Sequence, residues 1–503
     1  MIEGLIHEDF DLLVVGGGVT GLGVAVDAAS RGLRVALVER DDFASGTSSK
    51  SSKLIHGGLR YLQQGDVRLV YEALHERHRL HRNAPHLVRV LPFMLPILTK
   101  DGLVSKKIAR ALGSALWMYD VTGGWRIGRF HRRARRRKAL AHMPTMNADR
   151  LAAAYVYFDA EADDARLCLS LARTAAELGA VVLNRCRYVG DRRVVVDGRD
   201  VTVKTREVVD ATGVWSRHVE TRPAKGVHLT VPWDKVRNDM AVVIPVPKDR
   251  RSLFVVPWGP RPDGTFSHTY IGTTDTDYHG PLDDPQCTRD DIDYVLRALN
   301  ASVTTNVTVD DVTGTWAGLR PLVVGDETTS GRTADLSRRH LVTTGSDGTI
   351  TVTGGKLTTY RRMAQDTVDV VLDRLGRRGR CRTKRLRLFG HDGRRERELD
   401  EIVRRDPSLD APLVPDLPYR RAEVVHAARH EMATSVEDVL SRRTRALLID
   451  RDGAERAAPD VARLLAPILG WDTEREMAEV RLFAEICEHE RTAAGLREDE
   501  LHA

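Results

Sequence analysis

The stretch DLLVVGGGVTGLGVAVDAASRGLRVALVE, residues 11–39, decides the fold. Asp11 to Val15 is an apolar run ending in glycines, as expected of a strand buried on both faces of a parallel sheet. Val19 to Arg31 carries small and apolar residues at helical spacing, and Arg34 to Glu39 is a second apolar strand. Together they make one βαβ unit of about 30 residues. Gly16-Gly17-Gly18-Val19-Thr20-Gly21 fits GxGxxG between strand and helix. Gly16 permits the tight turn, Gly18 lets backbone approach a pyrophosphate, and Gly21 lets helix and strand pack closely. The helix N-terminus offers free N–H groups and the positive end of its dipole to phosphates. Glu39 is placed to accept a hydrogen bond from a ribose. A glycine-rich turn without ligand is the plainer reading, but strand, helix and acid together favour a dinucleotide.

Other stretches read as parts of the same sheet. Asp163 to Leu178 is an amphipathic helix with Leu167, Leu171 and Ala175 on one face, followed by a strand at Val181 to Leu183. Glu207 to Asp210 is a short strand, and Thr349 to Thr353 is another that ends in Gly354-Gly355 before a helix to about Leu375. Between them, Met240 to Val246, Leu253 to Pro257 and His268 to Gly272 suggest an antiparallel sheet. From about Arg394 the chain reads as helical and highly charged. The expected fold class is α/β. A discontinuous Rossmann-like nucleotide domain (residues 8–85, 150–215 and 335–376) interleaves with an antiparallel-sheet substrate domain (86–149 and 216–334). A C-terminal helical domain covers 390–503.

Composition agrees with 503 residues in several domains: 42% are apolar, enough for real cores. Net charge is only +6, so it matters locally, as between Arg126 and Lys138, with eight Lys or Arg and no acid. The five cysteines (Cys168, Cys186, Cys287, Cys381, Cys487) form no CxxC pair, which speaks for reduced thiols and against a zinc site or disulfide framework. No metal is expected. The N-terminus lacks the pattern of a signal peptide, and no uncharged apolar run approaches the ~20 residues that span a bilayer. The sequons at Asn300 and Asn306 are read as chance.

The fingerprint alone does not separate NAD from FAD. Val208-Val209-Asp210-Ala211-Thr212-Gly213 resembles the apolar-run-plus-ATG element of two-dinucleotide-fold flavoproteins, and so favours FAD. The segment from Ser48 to Leu62, SSKSSKLIHGGLRYL, is too specific for a linker. It resembles the active-site segment of the respiratory, quinone-linked FAD-dependent glycerol-3-phosphate dehydrogenases, within the D-amino-acid-oxidase-like flavoproteins. Three further blocks agree in order: Ile271 to Asp275, Trp316 to Leu322 and Gly354 to Arg361. The resemblance covers about residues 8 to 375 well and the rest loosely.

That resemblance implies non-covalent FAD, oxidation of sn-glycerol 3-phosphate to dihydroxyacetone phosphate by hydride transfer, and a quinone acceptor. Such chemistry needs a donor carbon over the flavin, a way to take the hydroxyl proton, and fixed positive charge for an anionic substrate. For the phosphate the resemblance nominates Arg60, Arg320, Arg338 and Lys356. Arg339 adjoins Arg338, so a one-residue slip would exchange them. Forked guanidinium donors suit a phosphate and lysine serves as a point charge, whereas the usual fate of an arginine is a surface ion pair. Tyr61 is expected to bond the substrate or pack over the flavin. His228 matches a family histidine near the flavin and is the first candidate for the base. Arg320 is the alternative, although its intrinsic pKa is very high; a structural histidine is the plainer reading. The loop carrying Ser48, Ser52, Lys53 and Leu54 is expected to wrap the flavin end of FAD, with Gly213 at the returning strand. Gly355, Lys356, Leu357 and Thr358 are expected at the flavin edge, where a helix dipole stabilises the reduced ring. His56 is not expected to attach the flavin covalently.

No second nucleotide fingerprint and no iron–sulfur cysteines are present, so electrons leave through a diffusing acceptor. Quinone implies a membrane surface, and hence a cytoplasmic protein held peripherally on the inner face of the cell membrane. Gly102 to Tyr119 fits such contact: Ile108, Leu112, Ala115 and Tyr119 share one face, Lys106, Lys107 and Arg110 lie off it, and Trp117 suits an interface. The basic cluster from Arg132 to Lys138 adds attraction to anionic lipid. The plainer reading is a helix packed on the protein beside a solvated loop. Nucleic acid is not an expected partner, and a homodimer is left open. The runner-up activity is an oxygen-using glycerol-3-phosphate oxidase that makes peroxide. A flavoenzyme for another hydroxy acid or an amine is disfavoured by the several basic residues. A module without turnover is disfavoured because Arg60, His228, Arg320 and Lys356 are all present.

Overall fold

The computed structural model describes residues 2–58, 67–98, 109–247, 249, 251–323 and 340–496. The apolar runs pair side by side. Phe10–Val15 lies between Thr205–Asp210 and Val35–Val38, parallel to both, with Val15 opposite Asp210 and Val38. Val181–Leu183 adds one edge, and Ile350–Gly354 extends the other. His340–Thr344 closes this six-stranded sheet antiparallel to Ile350–Gly354. Strands from distant parts of the chain thus form one nucleotide-binding sheet. Its helices are Val19–Ser30, Asp164–Glu177 and Tyr360–Arg374, which share one apolar core with it. Leu167, Leu171 and Ala175 are all buried there, as their spacing requires.

The second sheet has ten strands. Thr221–Pro232 sits between Phe266–Gly272 and Gly314–Val323, antiparallel to both. Ser252–Pro260, Ala241–Pro245, Val88–Leu98 and Leu151–Ala162 continue the sheet. The alternating segments are therefore antiparallel strands, with one exception: Ala241–Pro245 pairs with Val88–Leu98 in parallel. Leu54–Ile55, from the loop after the second strand of the nucleotide sheet, joins the far edge through Glu161 and Ala160. A small antiparallel ribbon of Cys186–Gly190, Arg193–Val196 and Arg199–Thr202 was not foreseen. The cysteines are free thiols; four are buried and Cys381 is partly exposed.

Helices begin at Arg394, as expected, and pack around their own core, with Val439, Val461, Leu465 and Phe483 fully buried. Buried charge ties this region to the nucleotide sheet. Asp42, just past the second strand, accepts bonds from Arg442 at 2.6 Å and from Arg443 at 2.5 and 2.8 Å. Burial alone would raise the Asp42 carboxyl, but the Arg443 and Arg442 guanidiniums hold it well below the usual carboxylate range.

The amphipathic helix runs from Ala109 to Thr122 in the described residues. Its apolar face does not look outward. Leu112, Leu116 and Tyr119 are buried against the larger sheet, with Ala115 packed beside them, and the Tyr119 hydroxyl bonds Asp159 at 2.8 Å. The expected lipid face is thus already covered by protein; Ile108, Lys106 and Lys107 lie outside the described residues. Periodicity shows that a helix has an apolar face, not which surface covers it. The outward side carries Trp117, Met118 and Val121, exposed by 58%, 45% and 68%. Among the described residues no helix is long and apolar enough to cross a membrane.

Asp42→Asn keeps the side-chain shape and removes its charge, leaving two buried guanidiniums short of an anion. The expected loss is about 3–5 kcal/mol, read as a lowered urea midpoint with unchanged slope. An unaltered midpoint would contradict the view that this cluster fastens the C-terminal helices.

Candidate active site

The glycine turn is built as its sequence requires. A Cβ on Gly21 would fall 2.0 Å from the Gly16 carbonyl oxygen, and Gly16 itself adopts φ +112° against Ala211. The Gly17 N–H donates to Glu39 Oε2 at 2.7 Å and the Asp41 N–H to Oε1 at 2.9 Å, so Glu39 pins the turn to the end of the second strand. Burial raises the Glu39 carboxyl, and these two backbone bonds oppose the rise. Gly18 caps the helix, and the first helical N–H, of Val19, donates to Ser48 Oγ at 3.0 Å. Across the turn, Ala211 N donates to Val15 O at 2.9 Å, and Gly213 takes φ +65°. Gly16, Gly18, Gly21, Glu39 and Gly213 therefore meet at one end of the sheet. The first three belong to the turn and first turn of the helix, at the N-terminus where diphosphate is favoured.

Next to it, between the two sheets, lies a cavity of about 460 Å³, within the range of small-molecule sites. Ser48, Ser52 and Leu54 line it from the loop, and Gly355, Lys356, Leu357 and Thr358 from the turn after Ile350–Gly354. Thr358 Oγ1 accepts the His56 N–H at 3.2 Å, so loop and turn are bonded to each other. His228 and Arg320 line it from adjacent strands of the larger sheet. Here the period-2 rule places residues. Ala224, Gly226 and His228 stand opposite Arg320, Gly318 and Trp316. The facing glycines let neighbours approach closely: a Cβ on Gly226 would meet Arg320 Nη2 at 2.5 Å, and one on Gly318 the Lys50 carbonyl oxygen at 2.7 Å.

The His228 ring stacks on Trp316 with centroids 4.7 Å apart and planes 10° apart. Its other side abuts Gly272, where a Cβ would come 2.2 Å from Cδ2. Nε2 lies 2.9 Å from Ser52 Oγ, whereas Nδ1 is buried with no hydrogen-bond partner among the described residues. Burial first, then the charges of Lys53 and Arg320, push this imidazole well below its ordinary pKa. It is therefore neutral at pH 7, with its lone pair free to accept a proton, though as a weaker base than an exposed imidazole. Arg320 donates to Asp275 Oδ1 at 3.2 Å and to Thr273 Oγ1 at 2.9 Å, which fixes its guanidinium plane.

Lys53 does not reach the cavity. Its ammonium is buried, bonded to Ser49 O at 3.2 Å and Asp164 Oδ1 at 3.3 Å, and lies 4.6 Å from the Trp316 ring centroid. The cofactor contact expected of this loop through its hydroxyls and backbone does not involve the Lys53 ammonium, which the buried anion Asp164 draws the other way. Arg60, Tyr61 and Arg338 lie outside the described residues. Three charged lining residues were not assigned a role from sequence: Lys50, Arg251 and Asp275. Lys50 and Asp275 stood inside the informative blocks, so their neighbourhood could have flagged them. Arg251 stood in no motif, and only the sheet brings it in, with Nη1 on Asp275 O at 2.9 Å. Among the described lining residues, Lys50, Arg251, Arg320 and Lys356 are basic and Asp275 alone is acidic. Such a cavity favours a small, multiply charged anion. No group of residues able to hold a metal ion is present among the described residues.

Comparison with known proteins agrees with this geometry. Residues 11–361 match the family model described as FAD dependent oxidoreductase. Residues 386–476 match that of the C-terminal domain of alpha-glycerophosphate oxidase. The chain is 39% identical to glycerol-3-phosphate dehydrogenase 2 of Mycobacterium tuberculosis (strain H37Rv), covering 95% of this chain and 89% of the relative. It is 35% identical to the mitochondrial glycerol-3-phosphate dehydrogenase of Rattus norvegicus, covering 94% and 72%. Among solved structures, the glycerol-3-phosphate dehydrogenase of Bacillus halodurans complexed with FAD superposes with a TM-score of 0.73 at 29% identity, covering 98% of this chain and 97% of that one. The residues here fit FAD: a turn with no room for a Cβ, a helix N-terminus, and a cavity beyond it for the ring.

Gly21→Ala inserts its methyl into the Gly16 carbonyl. The variant should purify with most of its FAD lost, measured by absorbance after heat release; full occupancy would show that the close approach does not matter.

Proposed function

From the premise that the chain belongs to the FAD-dependent oxidoreductases, among the glycerol-3-phosphate dehydrogenases, we propose that it oxidises sn-glycerol 3-phosphate to dihydroxyacetone phosphate and delivers the electrons to a membrane quinone. The observation that carries this reading is the cavity itself, where four basic side chains surround a neutral histidine.

The substrate phosphate carries close to two negative charges. The Arg320 fork and the Lys356 ammonium hold it, with Lys50 and Arg251 adding field. Arg60, Tyr61 and Arg338 join them in the roles that the resemblance implies. His228 takes the proton of the C2 hydroxyl. Arg320 is the weaker candidate for that step, since its bond to Asp275 favours the charged guanidinium. The glycine turn and the Gly354–Thr358 turn would hold FAD, which would supply the hydride acceptor for C2. Positioning by the fixed strands brings donor carbon and base together without loop reorganisation.

Quinone delivery requires a membrane surface. The exposed side of the helix Ala109–Thr122 offers one docking face: Trp117 lies 6.4 Å from Phe130, itself 54% exposed, between centroids. The arginines at 132, 133, 135, 136 and 137 and Lys138 follow directly and are exposed. Aromatic groups beside a basic stretch suit the headgroup layer of an anionic membrane. That arrangement supports a peripheral position on the cytoplasmic face.

Three outcomes test the reading. Glycerol 3-phosphate should drive reduction of a soluble quinone analogue, glycerol should not, and peroxide should stay a minor product; peroxide matching turnover would turn the acceptor into oxygen. The acid limb of kcat/KM should fall below pH 6.5, the ordinary histidine value, because a lowered pKa keeps His228 deprotonated further down the scale. Lys53→Met removes one of the charges that lower it, so the limb should move up; a limb that stays put would remove His228 from the step. Trp117→Ser with Phe130→Ser should weaken sedimentation with vesicles containing anionic lipid about tenfold or more, as expected when aromatic burial of ~1.5–3 kcal/mol per side chain is lost. Unchanged binding would relocate the docking face.

A further inference from the structure

The C-terminal helices meet the cavity wall chiefly along one short segment, Arg445 to Arg451, with Thr315 N also donating to Glu490 Oε1 of the last helix at 3.0 Å. Arg445 is buried, and its Nη2 donates to Ser49 O at 2.5 Å and to Asp164 Oδ1 at 2.6 Å, while Nη1 donates back to Ser441 O at 2.8 Å. Asp164 also accepts the Ser51 N–H at 2.9 Å and the Ser51 hydroxyl at 2.6 Å. Ser49 and Ser51 flank the loop residues that end in Ser52, whose hydroxyl meets His228 Nε2 at 2.9 Å. Three residues on, Leu448 O accepts Thr230 Oγ1 at 2.8 Å, on the strand that carries His228. Ile449 O accepts Thr313 Oγ1 at 2.6 Å, and Arg451 N donates to Thr313 O at 2.9 Å, just before the strand that carries Arg320. A Cβ on Gly314 would lie 2.5 Å from Leu448 O, so strand and segment touch backbone to backbone.

One segment is therefore bonded to the loop and to both strands that form the cavity wall. The loop needs this. Its only ladder is the two-residue pairing at Leu54–Ile55, and Lys53 sits at φ +57°, where side chains rarely go. Such a conformation persists only when its surroundings over-determine it.

We propose that Arg445 is a positioning residue of the reaction: it fixes the Ser49–Lys53 backbone so that Ser52 stays in register with His228, and through it the C-terminal region serves catalysis without touching substrate. Lys53 shares both acceptors, Ser49 O and Asp164, but approaches them at 3.2 and 3.3 Å and cannot replace a fork that spans them.

The test uses Arg445→Met and Arg445→Lys as FAD-loaded full chains. Amide exchange is followed in residues 47–55 and, for reference, in the helix Ala422–His430. In the methionine variant, exchange in 47–55 should quicken about tenfold, with the reference helix unchanged, as for a local opening. Its kcat should fall by about 100-fold with KM altered less than about threefold, the cost of a displaced catalytic group. The lysine variant should recover part of both, since it reaches Asp164 without forking to Ser49 O. Unchanged exchange and kcat overturn the proposal. So does faster exchange in loop and reference helix alike, with lysine no better than methionine, because that pattern marks lost stability alone. If the methionine variant does not fold, the lysine variant decides by the same two readings. The kinetic arm rests on the substrate proposed above; absent turnover by the parent enzyme would fault that reading, while the exchange arm still judges Arg445.

Discussion

One buried carboxylate, Asp164, joins the three parts of this molecule. It stands at the start of a helix that covers the nucleotide sheet, and it accepts bonds from the Ser51 loop, from Lys53 and from Arg445 of the C-terminal region. Lys53 and Arg445 are both out of water. Burying such charges is costly, and only close pairing with every lone pair in use offsets the cost. The arrangement therefore contributes less to net stability than to uniqueness: any other loop path would strand a charge. That explains how a loop with almost no strand pairing presents Ser48, Ser52 and Leu54 in fixed order along the cavity.

The same positive charges have two consequences. Arg320 and Lys356 make the cavity attractive to a dianion, and Arg320, together with Lys53, lowers the His228 pKa. An imidazole buried beside two cations stays neutral, the form that the proposed role of His228 requires. Burial works in the same direction. Trp316 adds a flat wall that sets the ring plane of His228, and it carries Lys53 on the same indole. Fold, field and base are thus one construction.

Much of this was legible in the sequence. The βαβ unit, the returning strand to Asp210 and the strand Val181–Leu183 follow from apolar runs and glycine punctuation, which are local signals. The places of Arg320 and the Gly354–Thr358 turn along the cavity followed from motif blocks, and that of His228 from its match to a family histidine. What sequence missed is non-local. Arg251 enters the cavity only because its strand pairs beside Phe266–Gly272. Lys53 turns away because Asp164, over a hundred positions later, draws it. The helix at Ala109–Thr122 had its apolar face identified but its partner left between lipid and protein, since the sheet that covers it comes from separate stretches. The ribbon at Cys186–Thr202 was lost because strands of four or five residues carry too little periodicity to stand out.

The central claim is that this cavity binds glycerol 3-phosphate against FAD and removes its C2 hydride. The most direct test is rapid anaerobic mixing of the FAD-loaded protein with glycerol 3-phosphate while the visible flavin absorption is followed. The account predicts fast bleaching that saturates with substrate, reverses on adding dihydroxyacetone phosphate, and does not occur with glycerol or lactate. A flavin that stays oxidised with glycerol 3-phosphate, or bleaches equally with the uncharged alcohol, would contradict it.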